Sequence, residues 1–175
     1  VLRYAFLIPV IWLAGCVTGP DWYAPPAQRE LLPVSEASVL RMFIQMNHPN
    51  APAHLVKDIS DTVEADSWRW THRRPELRFY LEKIDDLKFA ADFSISGATF
   101  EKTGPVVISF FVNDQLLDRV RYTAHGHQKY QRPVPAELLR PFAINRVVIQ
   151  PDKVWISPHD GVALGVILTE AGFKR

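Results

Sequence analysis

The stretch "LKFAADFSI" (87–95) decides the fold, because every second residue in it is apolar. Leu87, Phe89, Ala91, Phe93 and Ile95 alternate with Lys88, Ala90, Asp92 and Ser94. A period of two puts the first set on one face of a strand and the second on the other. A helix would scatter the five apolar residues around its axis instead of gathering them into a stripe. One dry face and one wet face are the pattern of an antiparallel sheet packed on a single side.

Outward from that segment the same reading recurs. Leu77, Phe79 and Leu81 alternate with Arg78, Tyr80 and Glu82, and Trp68 and Trp70 share a face around Arg69. "VVISFFVNDQLLDRVRY" (106–122) predicts two strands joined at Asn113-Asp114, residue types that tolerate the positive φ of a tight hairpin. The first of these strands is apolar on both faces, which places it centrally. "NRVVIQPDKVWISP" (145–158) predicts two short strands around a Pro-Asp turn. "VALGVILTEAGF" (162–173) predicts a closing strand with Val162, Leu164, Val166 and Leu168 on one face. "SVLRMFIQM" (38–46) is open between helix and buried strand. "NHPNAPAH" (47–54) reads as a loop, and "RPVPAELLRP" (132–141) as a proline-bounded loop with at most one helical turn. About eight to ten strands, with no long helix, predict an all-β, antiparallel two-sheet β-sandwich over residues 35–175.

Composition narrows the function classes. Of 20 Lys and Arg residues only Arg3 lies in 1–15, so residues 16–175 balance 19 basic against 19 acidic side chains. That balance offers no basic surplus for nucleic acid. Fourteen prolines against eight glycines favour punctuated loops over long helices.

The N-terminal "VLRYAFLIPVIWLAGC" (1–16) has one basic residue, an apolar run of about ten residues from Tyr4 to Leu13, and the chain's only cysteine. The run is too short to span a bilayer as a helix and has the length of a signal-peptide core. Leu13-Ala14-Gly15-Cys16 resembles the bacterial lipobox. The resemblance implies a signal peptide over 1–15 and a diacylglyceryl thioether on Cys16, with palmitate-type acylation anchoring the chain. Two or three acyl chains hold a protein firmly where one holds it marginally. "VTGPDWYAPPAQRELLPV" (17–34) then reads as a proline-rich, semi-rigid stalk, so that 16–34 form the lipidated terminus and linker. Trp22 and Tyr23 either meet the lipid interface or pack on the domain. Val17 after the cysteine implies the outer membrane in a Gram-negative cell, and the expected location is the bacterial cell envelope.

From Trp68 to the C-terminus the order of features resembles the galactose-binding-domain-like jelly roll. "WRWT" precedes a strand and "FSISG" ends another. "ISFFVNDQLLDRVRY" forms a central hairpin, and "NRVVI", a proline-rich turn and "DGVALGVILTEAGF" complete the chain. The resemblance implies a jelly-roll sandwich and, as analogy, a binding role with ligand held by loops at one rim.

"YTAHGHQKYQRP" (122–133) carries the candidate site. Tyr122, His125, His127, Tyr130 and Arg132 mix flat rings with hydrogen-bond donors, a combination suited to carbohydrate. His125-x-His127 also has the spacing of a metal-binding pair, but no carboxylate follows at the matching distance, and a polar strand end or loop is the favoured reading. Trp68, Trp70 and Trp155 are further candidate sugar platforms, against the alternative of core aromatics. Acidic pairs at Asp58/Asp61, Glu64/Asp66 and Asp85/Asp86 read as solvated loop acids, with Glu64 and Asp66 as candidate oxygen donors to a structural Ca²⁺. No nucleophile–base motif or phosphate-cradling glycine loop is present, so no catalytic residue, metal site or cofactor is expected.

The expectation is a lipid-anchored envelope protein that binds carbohydrate or another envelope component without catalysis. The alternatives are a structural or assembly lipoprotein that binds a protein partner, and an envelope hydrolase or metal-dependent enzyme using His125 and His127.

Overall fold

In the computed structural model of the chain, residues 39–175 are described. The elements run β1 (Phe43–Gln45), α1 (Ala51–His54), β2 (Leu55–Ile59), β3 (Arg69–Leu81), β4 (Lys88–Ile95), α2 (Gly97–Thr103), β5 (Val106–Val112), β6 (Gln115–Tyr122) and β7 (Gly126–Pro133). A 3-10 turn (Ala136–Leu138) follows, then β8 (Ala143–Pro151), β9 (Trp155–Ile156), β10 (Ala163–Leu164) and β11 (Ile167–Lys174). All strand pairings are antiparallel.

Two sheets face each other. The front sheet holds β1, β11, β4 and β7; the back sheet holds β2, β3, β8, β5 and β6. β3 joins them, because Arg69 and Trp70 pair with Leu168 and Ile167 in front before the strand continues behind. Rings from the two sheets meet between the layers. Phe79 packs on Phe173 at 5.7 Å between centroids, Phe89 on Phe110 at 6.4 Å, and Phe110 stacks on Tyr130 at 3.6 Å. The all-β antiparallel sandwich is therefore the one the alternation predicts. Strands distant in sequence lie side by side, β8 between β5 and β3 and β11 between β3 and β4, as the crossovers of a jelly roll require.

The "LKFAADFSI" segment forms β4, with Leu87, Phe89, Phe93 and Ile95 buried. Asn113 and Asp114 take φ values of 48° and 66°, as the hairpin between β5 and β6 demands. β5 lies between β6 and β8, away from the sheet edge. The open stretch 38–46 contains strand β1.

Two expectations are corrected, and one element is new. The loop read over 47–54 ends in one helical turn, α1, with Pro52 in its first turn, where a missing N–H does no harm. α2 follows "FSIS" unannounced by any apolar stripe. The closing stretch 162–173 is two strands rather than one, and Val162 is exposed. The break falls at Gly165, whose N–H donates to the Thr71 carbonyl at 2.8 Å; a Cβ there would lie 2.6 Å from the His72 carbonyl oxygen, so glycine lets the chain pass this close to β3. A bulge between Leu168 and Glu170 then turns Ala171 and Phe173 into the core. The cysteine motif and the proline-rich linker lie outside the described residues.

Candidate functional site

The outward face of the front sheet is set by register. Leu168, Phe93 and Arg69 are partners pointing inward and buried, so their neighbours Ile167, Ser94 and Trp70 point out. Pairing then gives one row across four strands: Trp70, Ile167, Ser94, His127. Two residues along β4 and β7, and three along bulged β11, lies a second row of Gln45, Glu170, Asp92 and Lys129, and beyond it Phe43, Gly172, Ala90 and Gln131. Three strand spacings of about 4.8 Å make the platform about 14 Å wide.

Its chemistry grades from aromatic to polar. Trp68 and Trp70 meet edge to face at 5.7 Å and are both half-buried, which leaves indole surface open to water. Glu170 and Asp92 are direct cross-strand neighbours of like charge, an arrangement that needs compensation. Lys174 lies 3.5 Å from Glu170, Lys129 lies 3.9 Å from Asp92, and the His127 Nε2 meets Asp92 Oδ1. Hydrogen-bond acceptors and donors therefore alternate over the face. The small residues Ala90 and Gly172 leave the third row low. A shallow cleft of about 220 Å³ opens there, walled by Asp92, Lys129, Gln131, Glu170 and Lys174.

The five residues singled out in 122–132 part company. β7 is a full strand at the front sheet's edge, and its alternation separates His127, outside, from Tyr130, inside. Tyr130 is buried and stacked on Phe110, so neither ring face is offered to a ligand. Tyr122 turns its ring onto Phe93 at 5.5 Å. Both phenols gather around Asp118 of β6, where Tyr130 Oη donates at 3.4 Å and Arg132 Nε lies 2.9 Å from Oδ2. Burial, reinforced by the Asp118 carboxylate, raises the Tyr122 hydroxyl to about 12 and that of Tyr130 higher still. Tyr122, Tyr130 and Arg132 thus close the open side of the sandwich between β6 and β7.

His125 lies in the turn before β7, its ring 6.0 Å from that of Phe100 in α2. The two histidines of the pair diverge, one toward Phe100 and one toward Asp92, so their imidazoles do not converge on one ion. Among the described residues no three His, Cys, Asp or Glu side chains are grouped to hold a metal ion. Glu64 and Asp66 sit on an exposed turn where the Asp66 carbonyl accepts from Asn47 Nδ2 at 2.7 Å. Trp155 is half-buried in the short β9–β10 hairpin.

Ser94, Asp92, Lys129, Gln131 and Glu170 were not singled out by sequence reasoning. The wet half of the 87–95 alternation already held Asp92 and Ser94. What it lacked was the identity of the strands on either side.

No protein-family model matches the chain, and no curated protein matches it. Among solved structures it is similar to a family 35 carbohydrate-binding module from Clostridium thermocellum, with 9% identity and a TM-score of 0.44 over 75% of this chain and 95% of that one. It is also similar to a module of the same family from Paenibacillus barcinonensis, with 7% identity and a TM-score of 0.42 over 76% of this chain and 98% of the other. A third similarity is to dimeric latent PorU from Porphyromonas gingivalis, with 12% identity and a TM-score of 0.38 over 69% of this chain and 12% of that one.

Proposed function

We propose that the outward face of the front sheet binds a carbohydrate chain without catalysis, and that the domain is the exposed part of a lipid-anchored envelope protein. The observation that carries the reading is the row Trp70, Ile167, Ser94, His127 beside Asp92, Glu170 and Lys129. A pyranose presents an apolar C–H face and a rim of hydroxyls. The C–H face suits the open indole surface at one end of the row. Each hydroxyl both donates and accepts, so it suits a surface where carboxylates, a lysine, a histidine and a serine alternate. A shallow, open cleft admits an extended chain rather than an enclosed small molecule.

The test is binding of the full chain to a broad panel of polysaccharides, followed by tryptophan fluorescence titration. Trp70→Ala and Asp92→Ala weaken the interaction at least tenfold, whereas Tyr130→Phe, altered only in the interior, leaves it unchanged. Absence of binding over the whole panel, or equal affinity in all three variants, rejects the carbohydrate reading and favours a protein partner. The anchor is tested separately, through labelled palmitate that is incorporated by the parent chain and lost in Cys16→Ser. Fractionation then distinguishes the outer membrane expected from Val17 from the inner one.

A further inference from the structure

The outward face of the back sheet differs in kind from the front. Register places Arg121 beside Val107, Arg119 beside Ser109 and Leu116 beside Phe111, with Gln150 and Val148 on the next strand. Two adjoining open clefts of about 420 and 500 Å³ share Gln150 and Asp152, and the second extends over Arg73, Lys153 and Ile156. Among the described residues, four cations of this face have no carboxylate partner. Arg73 and Arg121 make no side-chain hydrogen bond or ion pair among the described residues. Among the same residues Arg119 Nε donates to Ser109 Oγ alone, at 3.2 Å, and Lys153 Nζ to the carbonyls of Thr103 and Pro105 alone. Of the acids on this face, Asp152 already accepts from the Val107 N–H at 2.8 Å, Glu76 pairs with Lys57 and Arg146, and Asp114 lies 3.8 Å from Arg74. Bare aliphatic groups share the face: Leu116, at 50% exposure, stands at the β5–β6 hairpin end beside Phe111, and Ile156, at 45%, lines the second cleft with Arg73 and Lys153. A chain with nearly balanced charge has therefore gathered unpaired cations and exposed apolar side chains on one broad, shallow face.

We propose that this face rests on an anionic lipid surface. A soluble anion would answer the charges and leave Leu116 and Ile156 in water. A lipid interface answers both, since headgroup phosphates meet the guanidinium and ammonium groups while the aliphatic side chains enter the boundary below them. The arginine and lysine stems are long enough to lie along that boundary with their charged ends in the headgroup layer. The shallow clefts suit a surface rather than a molecule to be enclosed. The consequence is an orientation: the two outer faces lie on opposite sides of the core, so a sandwich lying back-down turns its front sheet away from the lipid.

The full chain is incorporated into phosphatidylcholine vesicles with and without about one quarter phosphatidylglycerol. A polarity-sensitive fluorophore is placed on Leu116→Cys or Ile156→Cys, and the parent chain reports any label on Cys16. In the anionic vesicles both labels shift to an apolar emission and are quenched by nitroxide lipids, and molar salt reverses this. A label on Lys129→Cys in front stays water-like. Combining Arg73→Ser, Arg119→Ser and Arg121→Ser lowers the lipid-contacting fraction at least tenfold, while Lys83→Ser with Arg140→Ser leaves it unchanged. Water-like labels in anionic vesicles, equal contact with neutral vesicles, or indifference to the three arginine changes would each overturn the proposal. So would tight binding of tripolyphosphate in neutral vesicles that is lost in the triple variant, because it would give the face to a soluble anion. Carbohydrate binding in front is measured independently, so either reading can fail alone.

Discussion

Asn145→Ala is expected to lower stability by about 2 kcal/mol through a network that the strand pattern never announces. Asn145 is fully buried in β8. Its Oδ1 accepts from the Arg140 N–H and from Asn113 Nδ2, each at 2.8 Å. Its Nδ2 donates to the carbonyls of Arg140, at 2.8 Å, and Ala143, at 3.1 Å. Asn113, at the β5–β6 turn, also donates to the Leu138 carbonyl and accepts from the Arg146 N–H. Two amides therefore tie the hairpin tip to the loop that enters β8. Four hydrogen bonds at about 0.5–1.5 kcal/mol each set a range of about 2–6 kcal/mol. The lower end applies because Arg140 is exposed and water can reach its backbone, and because Asn113 keeps its bond to Leu138. Phe142, which the clamp flanks on both sides, also draws the value toward that lower end. It is held at φ 51° and 75% exposed, and released from the clamp it recovers about 1 kcal/mol of left-handed strain.

The measurement is urea unfolding with global fitting at a common slope, supported by a fall in Tm of about 4–8 °C. Asn145→Asp separates donation from acceptance. It keeps the Oδ1 contacts but aims a charged oxygen at two carbonyls, so it is more damaging than alanine at neutral pH. Its folded-state pKa is raised above the unfolded value, so its extra penalty is absent below about pH 4 and grows as pH rises from there through the folded-state pKa. A loss under about 0.5 kcal/mol for alanine, or an aspartate variant as stable as the parent at neutral pH, would refute the reasoning.

His54 is wholly buried, with Nδ1 2.9 Å from the Arg78 carbonyl and Nε2 accepting from the Arg41 N–H at 3.2 Å. Burial, opposed by the Arg78 carbonyl, holds its pKa below 6.5, so protonation must break the Arg41 contact. Folding stability is accordingly undiminished above 6.5 and falls as pH drops below it, a slope that pH-resolved unfolding will show and His54→Gln will flatten. Thr99 has a buried hydroxyl with no partner among the described residues, so Thr99→Val is expected to raise stability by about 1 kcal/mol in thermal melts. Gly172 sits at φ 147°, where a Cβ would lie 2.3 Å from the Met42 oxygen and 2.5 Å from Phe43 Cα. Gly172→Ala must push β1 off β11 and is expected to cost about 2 kcal/mol or more, with hydrogen exchange accelerated first in β1.

The short strands show where sequence reading stops. β1 and β2 have three and five residues, too few to establish a period, and exist because β11 and β3 offer them unpaired edges. β7 was legible only as a polar end or loop, since "GHQKYQRP" buries Tyr130 alone. An edge strand needs little apolar content when its backbone bonds go to β4. The candidate site suffered the same limit. Residues adjacent in sequence alternate between faces, so the 122–132 cluster split into core tyrosines and a surface histidine, while Trp70 and His127 met on one row from far apart in the chain.

By itself the sequence determined that Leu87, Phe89, Ala91, Phe93 and Ile95 point one way and their neighbours the other, and so that the protein is a sandwich of half-wet strands. It determined the hairpin at Asn113-Asp114 for the same local reason: side-chain direction and backbone dihedrals belong to the strand and turn themselves. Which strands lie side by side was decided only by tertiary structure, because pairing across a sheet joins residues that no local pattern links. Asp92 meets Glu170 and Lys129 through that pairing alone. The polar platform in front and the bare cations behind are properties of the assembled sheets.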